Sequence, residues 1–399
     1  MSKLDKLICE LCPNGVEYRT LGDVCKLITG ATPSKKLSSY WNDGTIPWMS
    51  SGEVSLKRVW STEAKITQLA YDKTSTTLVP PHSIVIALAG QGKTRGKVAI
   101  TEIELCTNQS LCSIVCSNEL DYKFLYYYLD GKYEELRSIS NGDGSRGGLS
   151  LKILSPYKIP VPPLDVQREI VRILDNFTEL TAELTAELIA RKKQYEYYRD
   201  KLLALDVFKG RASKCNVRTF RIDELCNISR GKVISKDYIK EHPGHYPVYS
   251  SQTENDGVLG CISEYAYDGE FITWTTDGAN AGTVFFRNGK FSITNVCGLL
   301  SPKNGDLNLR YLYYVLSKDA RQYVNKGMGN AKLMSNVMGG IKIAVPPLSI
   351  QNRIANVLDN FDAICSDLNM GLPAEIEARQ KQYEYYRDKL LTFKERISI

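Results

Sequence analysis

No stretch of this 399-residue sequence is apolar for long enough to cross a bilayer as a helix. The longest clear apolar run, Ile84 to Ala89, has the length of a buried strand. Histidine is scarce. Of the three, His242 and His245 flank Pro243-Gly244, which leaves little scope for general-base chemistry. A zinc-protease helix motif, a nucleophile elbow, a dinucleotide fingerprint and the Asn-Pro-Pro-aromatic signature of DNA amino-methyltransferases are all missing. No catalytic residue is therefore expected. The eleven cysteines are an odd number and include one CxxC, Cys9-x-x-Cys12, with no second pair at zinc-like spacing. This argues for reduced thiols over a disulfide framework or a structural metal. The start, Met1 to Lys6, carries mixed charge and leads into no signal-like apolar segment, so a cytoplasmic location is expected.

What is present has the composition of a globular protein, 43% hydrophobic and 24% charged, at a length suited to two domains. The net charge of +6 is compatible with a polyanionic partner without demanding one. The dominant feature is an internal repeat. Ala190 to Leu203 (ARKKQYEYYRDKLL) and Ala378 to Leu391 (ARQKQYEYYRDKLL) agree at thirteen of fourteen positions. Upstream, Lys158 to Phe177 matches Lys342 to Phe361 at twelve of twenty. Weaker agreement precedes these in the same order. Leu21 to Cys25 with Gly30 resembles Ile222 to Cys226 with Gly231, and Phe124 to Leu129 resembles Tyr311 to Leu316. The chain thus divides into a first domain at 1–157, a helical segment at 158–207, a second domain at 208–341 and a second helical segment at 342–399.

Both repeated segments are expected to be long helices. Pro162-Pro163 and Pro346-Pro347 mark their starts, with Asp165 and Ser349 as expected N-caps. Apolar residues at Val166, Ile170, Ile173, Phe177, Leu180 and Leu184 step by four and three, a coiled-coil seam. The seam resumes at Leu188, Tyr195, Tyr198, Leu202 and Leu205 after a tandem tetrapeptide, Thr181-Ala-Glu-Leu then Thr185-Ala-Glu-Leu. Four added residues form a stutter, which unwinds the supercoil locally without destroying the seam. The second seam runs Ile350, Ile354, Val357, Phe361, Ile364 and Leu368, then resumes at Ile376, Tyr383, Tyr386 and Leu390. Between them, Gly371 and Pro373 kink or restart the helix. A helix with one apolar stripe needs a partner. The economical one is the other copy, in an antiparallel pair, and the simpler alternative is packing of each helix on its own domain.

The fold class expected is α+β: two globular α/β domains separated by two long helices that pair as an antiparallel coiled coil, with internal pseudo-twofold symmetry. Ser83 to Leu88, Lys97 to Thr101 and Phe271 to Thr275 are β-rich runs between glycine-containing turns. Ala87-Leu-Ala-Gly-Gln-Gly-Lys93-Thr94 approaches a phosphate-binding P-loop. However, its first position is alanine, a turn and strand follow instead of a helix, and the counterpart Thr275 to Gly282 has no Gly-Lys-Thr. A glycine-rich hairpin is the favoured reading.

Gly30-Ala-Thr-Pro33 followed by Tyr40-Trp-Asn-Asp-Gly-Thr-Ile-Pro-Trp48 resembles the opening of a target-recognition domain. The Val-Pro-Pro-Leu-x-x-Gln segments at 161–167 and 345–351, leading to Leu-Asp-Asn-Phe and Gln-Tyr-Glu-Tyr-Tyr-Arg-Asp, resemble the helical conserved regions of type I restriction-modification specificity subunits. The doubled Thr-Ala-Glu-Leu resembles a tetrapeptide repeat of one branch of that family. The second domain departs from the pattern, since Lys-Val-Ile-Ser-Lys follows Gly231.

The resemblance implies a non-catalytic subunit that reads a split double-stranded DNA site, one half per domain, while the helices set the gap. It implies two methyltransferase subunits as partners and, in the full complex, restriction/motor subunits. No cofactor is expected on this chain; S-adenosylmethionine, ATP and Mg belong to the partners. DNA contacts are expected from loops: Gln91, Lys93, Arg95, Lys97 and Arg146 in the first domain, and Arg230, Lys232, Asn280, Lys326 and Lys332 in the second. Cations there suit phosphate, while Gln91, Asn280 and Arg95 offer the bidentate geometry that base edges need. The competing readings are a stand-alone nucleotide hydrolase using Lys93 and a coiled-coil scaffold that binds no DNA.

Overall fold

The computed structural model describes residues 2–90, 94–140, 148–204, 217–327, 330–366 and 371–396. The chain forms two compact units. One comprises Met1–Leu184 with Ile376–Ile399; the other is Thr185–Glu375. Each combines helices with a mostly antiparallel sheet, the expected α+β class.

The repeat is visible in strand order. In the first unit the central sheet runs Cys25–Thr29, Leu111–Cys116, Ile84–Ala87, Val98–Thr101 and Arg58–Val59. In the second it runs Cys226–Arg230, Cys297–Pro302, Tyr267–Thr275, Val284–Ile293 and Pro243–Tyr249, with Val258–Ile262 added at the edge. In both, the first four strands are antiparallel neighbours and the fifth pairs parallel to the fourth.

The strands Ile84–Ala87 and Val98–Thr101 are buried throughout because both faces of the sheet are covered. Ile84, Ile86, Val98 and Ile100 pack with Phe124 and Leu125 of the helix Tyr122–Gly131. Val85, Ala87 and Ala99 point the other way, toward Met49, Val54 and Leu105. The period of two along each strand sorts the residues between these cores.

The first unit also has a four-stranded sheet of Ala64–Ile66, Ile46–Met49, Leu105–Thr107 and Leu78–Val79. It carries the Trp41–Trp48 pair, stacked edge to face at 5.1 Å.

The long helix Leu164–Leu203 runs unbroken through the doubled Thr-Ala-Glu-Leu, so the stutter is accommodated within it. Its counterpart forms as Leu348–Ser366 and Leu372–Leu390. Pro373 sits in the first turn of the second piece, where its missing N–H costs no hydrogen bond. The helix starts differ from expectation by two residues. The carbonyls of Pro163 and Pro347 accept from the backbone N–H groups of Val166 and Gln167, and of Ile350 and Gln351. Asp165 and Ser349 therefore lie inside the first turn and are not caps. Prolines preset the helical φ and their carbonyls begin the ladder.

Both pairing schemes occur, each over part of the helix. The start of each long helix packs on its own domain: Val166, Ile170 and Leu174 in the first unit, Ile354, Ala355 and Leu358 in the second. The end of each packs in the other copy's unit. Tyr383 and Leu391 join the first core, and Tyr195, Leu202 and Leu203 lie against the second. In the first unit Phe177 stacks on Tyr386 at 5.4 Å, while Lys158 approaches Glu395 at 3.8 Å, so the two helices run in opposite directions. In the second unit Phe361 stacks on Tyr198 at 6.0 Å in the same manner.

The seam shifts by one position near the domains. Leu174 and Leu358 are fully buried, whereas Val357 is 38% exposed. A helix start pressed on a domain buries a wider stripe than a two-helix seam does, and the stripe turns toward the domain. Leu205 and Leu368 lie outside the described residues.

Two polar joints recur in both copies. The Gln167 amide donates to the carbonyls of Glu119 (2.9 Å) and Pro162 (2.7 Å), and its oxygen accepts from Asp121 N–H (2.8 Å). Gln351 repeats this with Asp306 (3.1 Å), Pro346 (2.8 Å) and Asn308 N–H (2.9 Å). Asp121 and Asn308 are the N-caps of the helices Tyr122–Gly131 and Leu309–Asp319. The second joint is a tyrosine hydroxyl donating to an aspartate of the long helix, Tyr127 to Asp175 at 2.7 Å and Tyr314 to Asp359 at 2.6 Å.

Candidate nucleic-acid interface

Strand Cys226–Arg230 delivers Arg230 to the end of the second sheet. Gly231 follows because the chain passes against the Ile293 and Thr294 carbonyls, leaving no room for a Cβ. Gly30 meets the Thr107 carbonyl in the same way, so the two glycines are structural equivalents.

The Arg230 guanidinium donates to the Thr276 hydroxyl (2.7 Å) and the Asp277 carboxylate (3.2 Å). Asp277 also accepts from Thr276 (2.6 Å) and lies 3.8 Å from the Lys332 ammonium. The backbone locks this arrangement. Leu333 N–H donates to Thr276 and Gly278 N–H donates to Ala331, while Asn325 and Lys332 exchange both of their hydrogen bonds. The hairpin tip after Thr275 is thereby joined to the loop carrying Lys326, and Arg230 and Lys332 meet around one carboxylate. Lys232 and Lys326 are exposed.

Asn280 is half-buried, and its backbone carbonyl accepts from the hydroxyls of Thr275 and Thr283, so its placement is fixed by the turn. Beside Arg230 and Lys232 opens a cleft of about 490 Å³, also lined by Val233, Tyr238, Glu264 and Tyr265. The Tyr238 hydroxyl donates to Glu264 at 2.6 Å, which raises the phenol's pKa. The Lys290 ammonium stands 4.8 Å from the Tyr265 ring centroid, and its pKa is raised by that tyrosine.

Among the first domain's candidates, Gln91, Lys93 and Arg146 lie outside the described residues. Arg95 and Lys97 fall on the hairpin between Ile84–Ala87 and Val98–Thr101, in a turn and not at a helix start. That is the geometry of a hairpin, not of a phosphate-binding loop. The Nε of Arg95 is buried without a hydrogen-bond partner. The opening Gly30 to Trp48 is closed by the Trp48 indole donating to the Ala31 carbonyl at 3.0 Å and by Thr32 bonded to Gln109.

Sequence reasoning missed Asp277 and the cleft residues Tyr238, Glu264 and Tyr265. Asp277 and Lys332 are 55 positions apart, and no local pattern announces their meeting. Among the described residues there is no group of three or more metal-ligating side chains and no helix long and apolar enough to cross a membrane.

Residues 13–192 and 215–378 match the family described as type I restriction modification DNA specificity domain. The chain belongs to that family. A type I specificity subunit of Mycoplasma pneumoniae is 45% identical over 235 residues, covering 59% of this chain and 92% of the relative. The EcoR124I/EcoR124II specificity subunit of Escherichia coli is 29% identical over 422 residues, covering 98% and 97%. In fold, the chain is similar to the type I restriction-modification S subunit from M. genitalium. The TM-score is 0.59 at 19% identity, with 94% of this chain and 96% of that one covered. This specificity subunit is thus a DNA target-recognition protein and not the catalytic member of its system. The nucleotide-hydrolase and scaffold readings are not favoured.

Proposed function

We propose that each unit reads one half of a split DNA site and that two methyltransferase subunits dock on the helices, with restriction/motor subunits joining in the full complex. The observation that carries this is one sheet order built twice with different loops at the same strand ends. The tip after Ala87 carries Arg95 and Lys97, whereas the tip after Thr275 carries Asp277 and Asn280. Equivalent scaffolds with unlike tips suit two different half-sites on one duplex. Arg230, Lys232, Lys326 and Lys332 supply phosphate-facing cations in the second unit, as do Arg95 and Lys97 in the first, joined by Lys93 and Arg146. Gln91, Asn280 and Arg95 are the candidates for base edges. The chain works in the cytoplasm without a cofactor of its own, and S-adenosylmethionine, ATP and Mg are bound by its partners.

The test is to purify the chain with its methyltransferase and map methylated adenines across a genome. A motif split by a fixed gap is expected. A contiguous motif, or no methylation by an assembled complex, overturns the reading.

A further inference from the structure

Arg230 and Lys232 border the cleft of about 490 Å³ in the second unit. Pockets for small molecules run from about 300 to 1,000 Å³, so the space suits one nucleotide. A segment that lines it, Ile262 to Tyr267, is tied down on both sides of Glu264 and Tyr265. Ser263 N–H donates to the His242 carbonyl at 3.2 Å. Ala266 N–H donates to the Phe291 carbonyl and the Ser292 hydroxyl, each at 3.1 Å. Between these anchors Glu264 and Tyr265 are exposed. The Tyr238 hydroxyl donates to Glu264 Oε1 at 2.6 Å, and the Tyr265 ring stands edge-on to Tyr246 at 4.9 Å. Both side chains are thus oriented before any ligand arrives.

The first unit closes the same step of its chain. After Gly30, the Trp48 indole donates to the Ala31 carbonyl and Thr32 is bonded to Gln109. After the equivalent Gly231, Lys232 and Val233 are exposed and line open space. Val233 leaves 80% of its surface in water there, an apolar group among cations. Glu264 is the one carboxylate among the described residues that line the cleft. Beside cations that face phosphate, a carboxylate repels the same polyanion unless hydrogen-bond donors meet it. An ionised carboxylate only accepts, so its ligand must present N–H groups.

We infer that this cleft holds a single guanine nucleotide drawn out of the stack of the second half-site, with Glu264 accepting from its Watson–Crick edge. This rests on the functional reading above and goes beyond it, since it adds extrusion of a base into the specificity subunit. The concave shape decides between a groove edge and a whole base. A side chain that reads an edge must project into a groove, whereas Glu264 and Tyr265 line a hollow. Proteins that grip an extruded base hydrogen-bond its Watson–Crick edge and stack against its face. Guanine is the base whose edge offers two adjacent donors, N1–H and N2–H, to match the two oxygens of a carboxylate. Adenine and cytosine set a ring acceptor beside the amino group, and thymine sets its one N–H between two carbonyls. Glu264 Oε1 keeps a lone pair while bonded to Tyr238. The exposed Tyr265 ring offers a stacking surface, and Lys232 meets the phosphate.

The test uses the chain assembled with its methyltransferase and duplexes carrying the methylated motif. An abasic residue is placed opposite each base of the motif in turn, and affinity is measured at fixed salt. An unpaired base is cheaper to extrude, so at one guanine the change should tighten binding about 10-fold. Glu264→Gln and Tyr265→Ala should abolish that gain, and Glu264→Gln should relax the motif at the same guanine in genome-wide methylation mapping. Glu270→Gln, at an exposed position outside the cleft, should keep both, and thermal melts check that each variant is folded. Free GMP, AMP, CMP and TMP are titrated in parallel. GMP binding that Glu264→Gln removes, without any gain at a guanine of the duplex, would make the cleft a site for a free nucleotide and overturn the DNA source. A split motif with no guanine that gains affinity, or a gain unchanged in a folded Glu264→Gln complex, overturns the assignment alone. A complex that methylates no split motif overturns the functional reading along with it.

Discussion

Gln167 and Gln351 are almost fully buried amides, and each makes three hydrogen bonds to main-chain atoms. Replacing Gln167 with alanine strands two carbonyls and one N–H in a dry joint. Since an unsatisfied buried group costs about 1–3 kcal/mol, a loss of about 3 kcal/mol is expected in the unfolding transition of the first unit. Denaturant titration with a probe in each unit should show the second transition unmoved. Glu169 offers a weaker, pH-dependent counterpart. Its side chain is bonded by Arg172 at 2.7 Å and Lys3 at 2.8 Å, which pull its pKa from 4.5 down to about 2. A depressed carboxyl stabilises the fold above its unfolded pKa. Its contribution is therefore complete above about pH 4.5 and lost as pH falls toward about 2. Both cations are largely exposed, so the effect should be small and weakened by salt. Glu169→Gln should flatten that part of the stability-versus-pH curve; an unchanged slope would show that the pair contributes nothing.

The elements show what the sequence makes legible and where it stops. The unbroken helix Leu164–Leu203 and its interrupted partner are readable because seam spacing and proline are local signals. The shift of burial from Val357 to Leu358 is not, since it depends on the domain against which the helix start lies. The hairpin nature of Ala87 to Val98 is legible from the turn and strand after Thr94. The Arg230–Asp277–Lys332 cluster is not, because it joins three segments distant in the chain. The second domain lacks the Gly-x-Thr-Pro opening, yet Gly231 makes the same close approach as Gly30; backbone geometry outlives the motif that surrounds it. For this cluster, Arg230→Ala should weaken DNA binding similarly across sequences and lower the salt slope by about 0.9 for one lost phosphate contact. A change confined to one base of the motif would instead mark Arg230 as a reader of bases.

On the scale of the whole molecule, each core takes the start of one repeated helix and the end of the other, and the doubled Thr-Ala-Glu-Leu sits where the two units divide, at Leu184 and Thr185. Deleting one tetrapeptide removes about 6 Å of helix, or about two base-pair steps. The methylated motif should keep both half-sites and lose a corresponding part of its gap, as read by genome-wide methylation mapping. An unchanged gap would remove the helix from the measuring role. The bases themselves stay illegible in the sequence, because loops held by backbone contacts carry no residue-to-base code.

The glutamine joint has one more consequence. Every atom that Gln167 and Gln351 grasp outside their own side chains belongs to the main chain, which any sequence supplies. The joint is therefore indifferent to what the domain carries at its far end. A domain with wholly different loops can be grafted onto the same socket, and the chain is built as a holder for interchangeable heads.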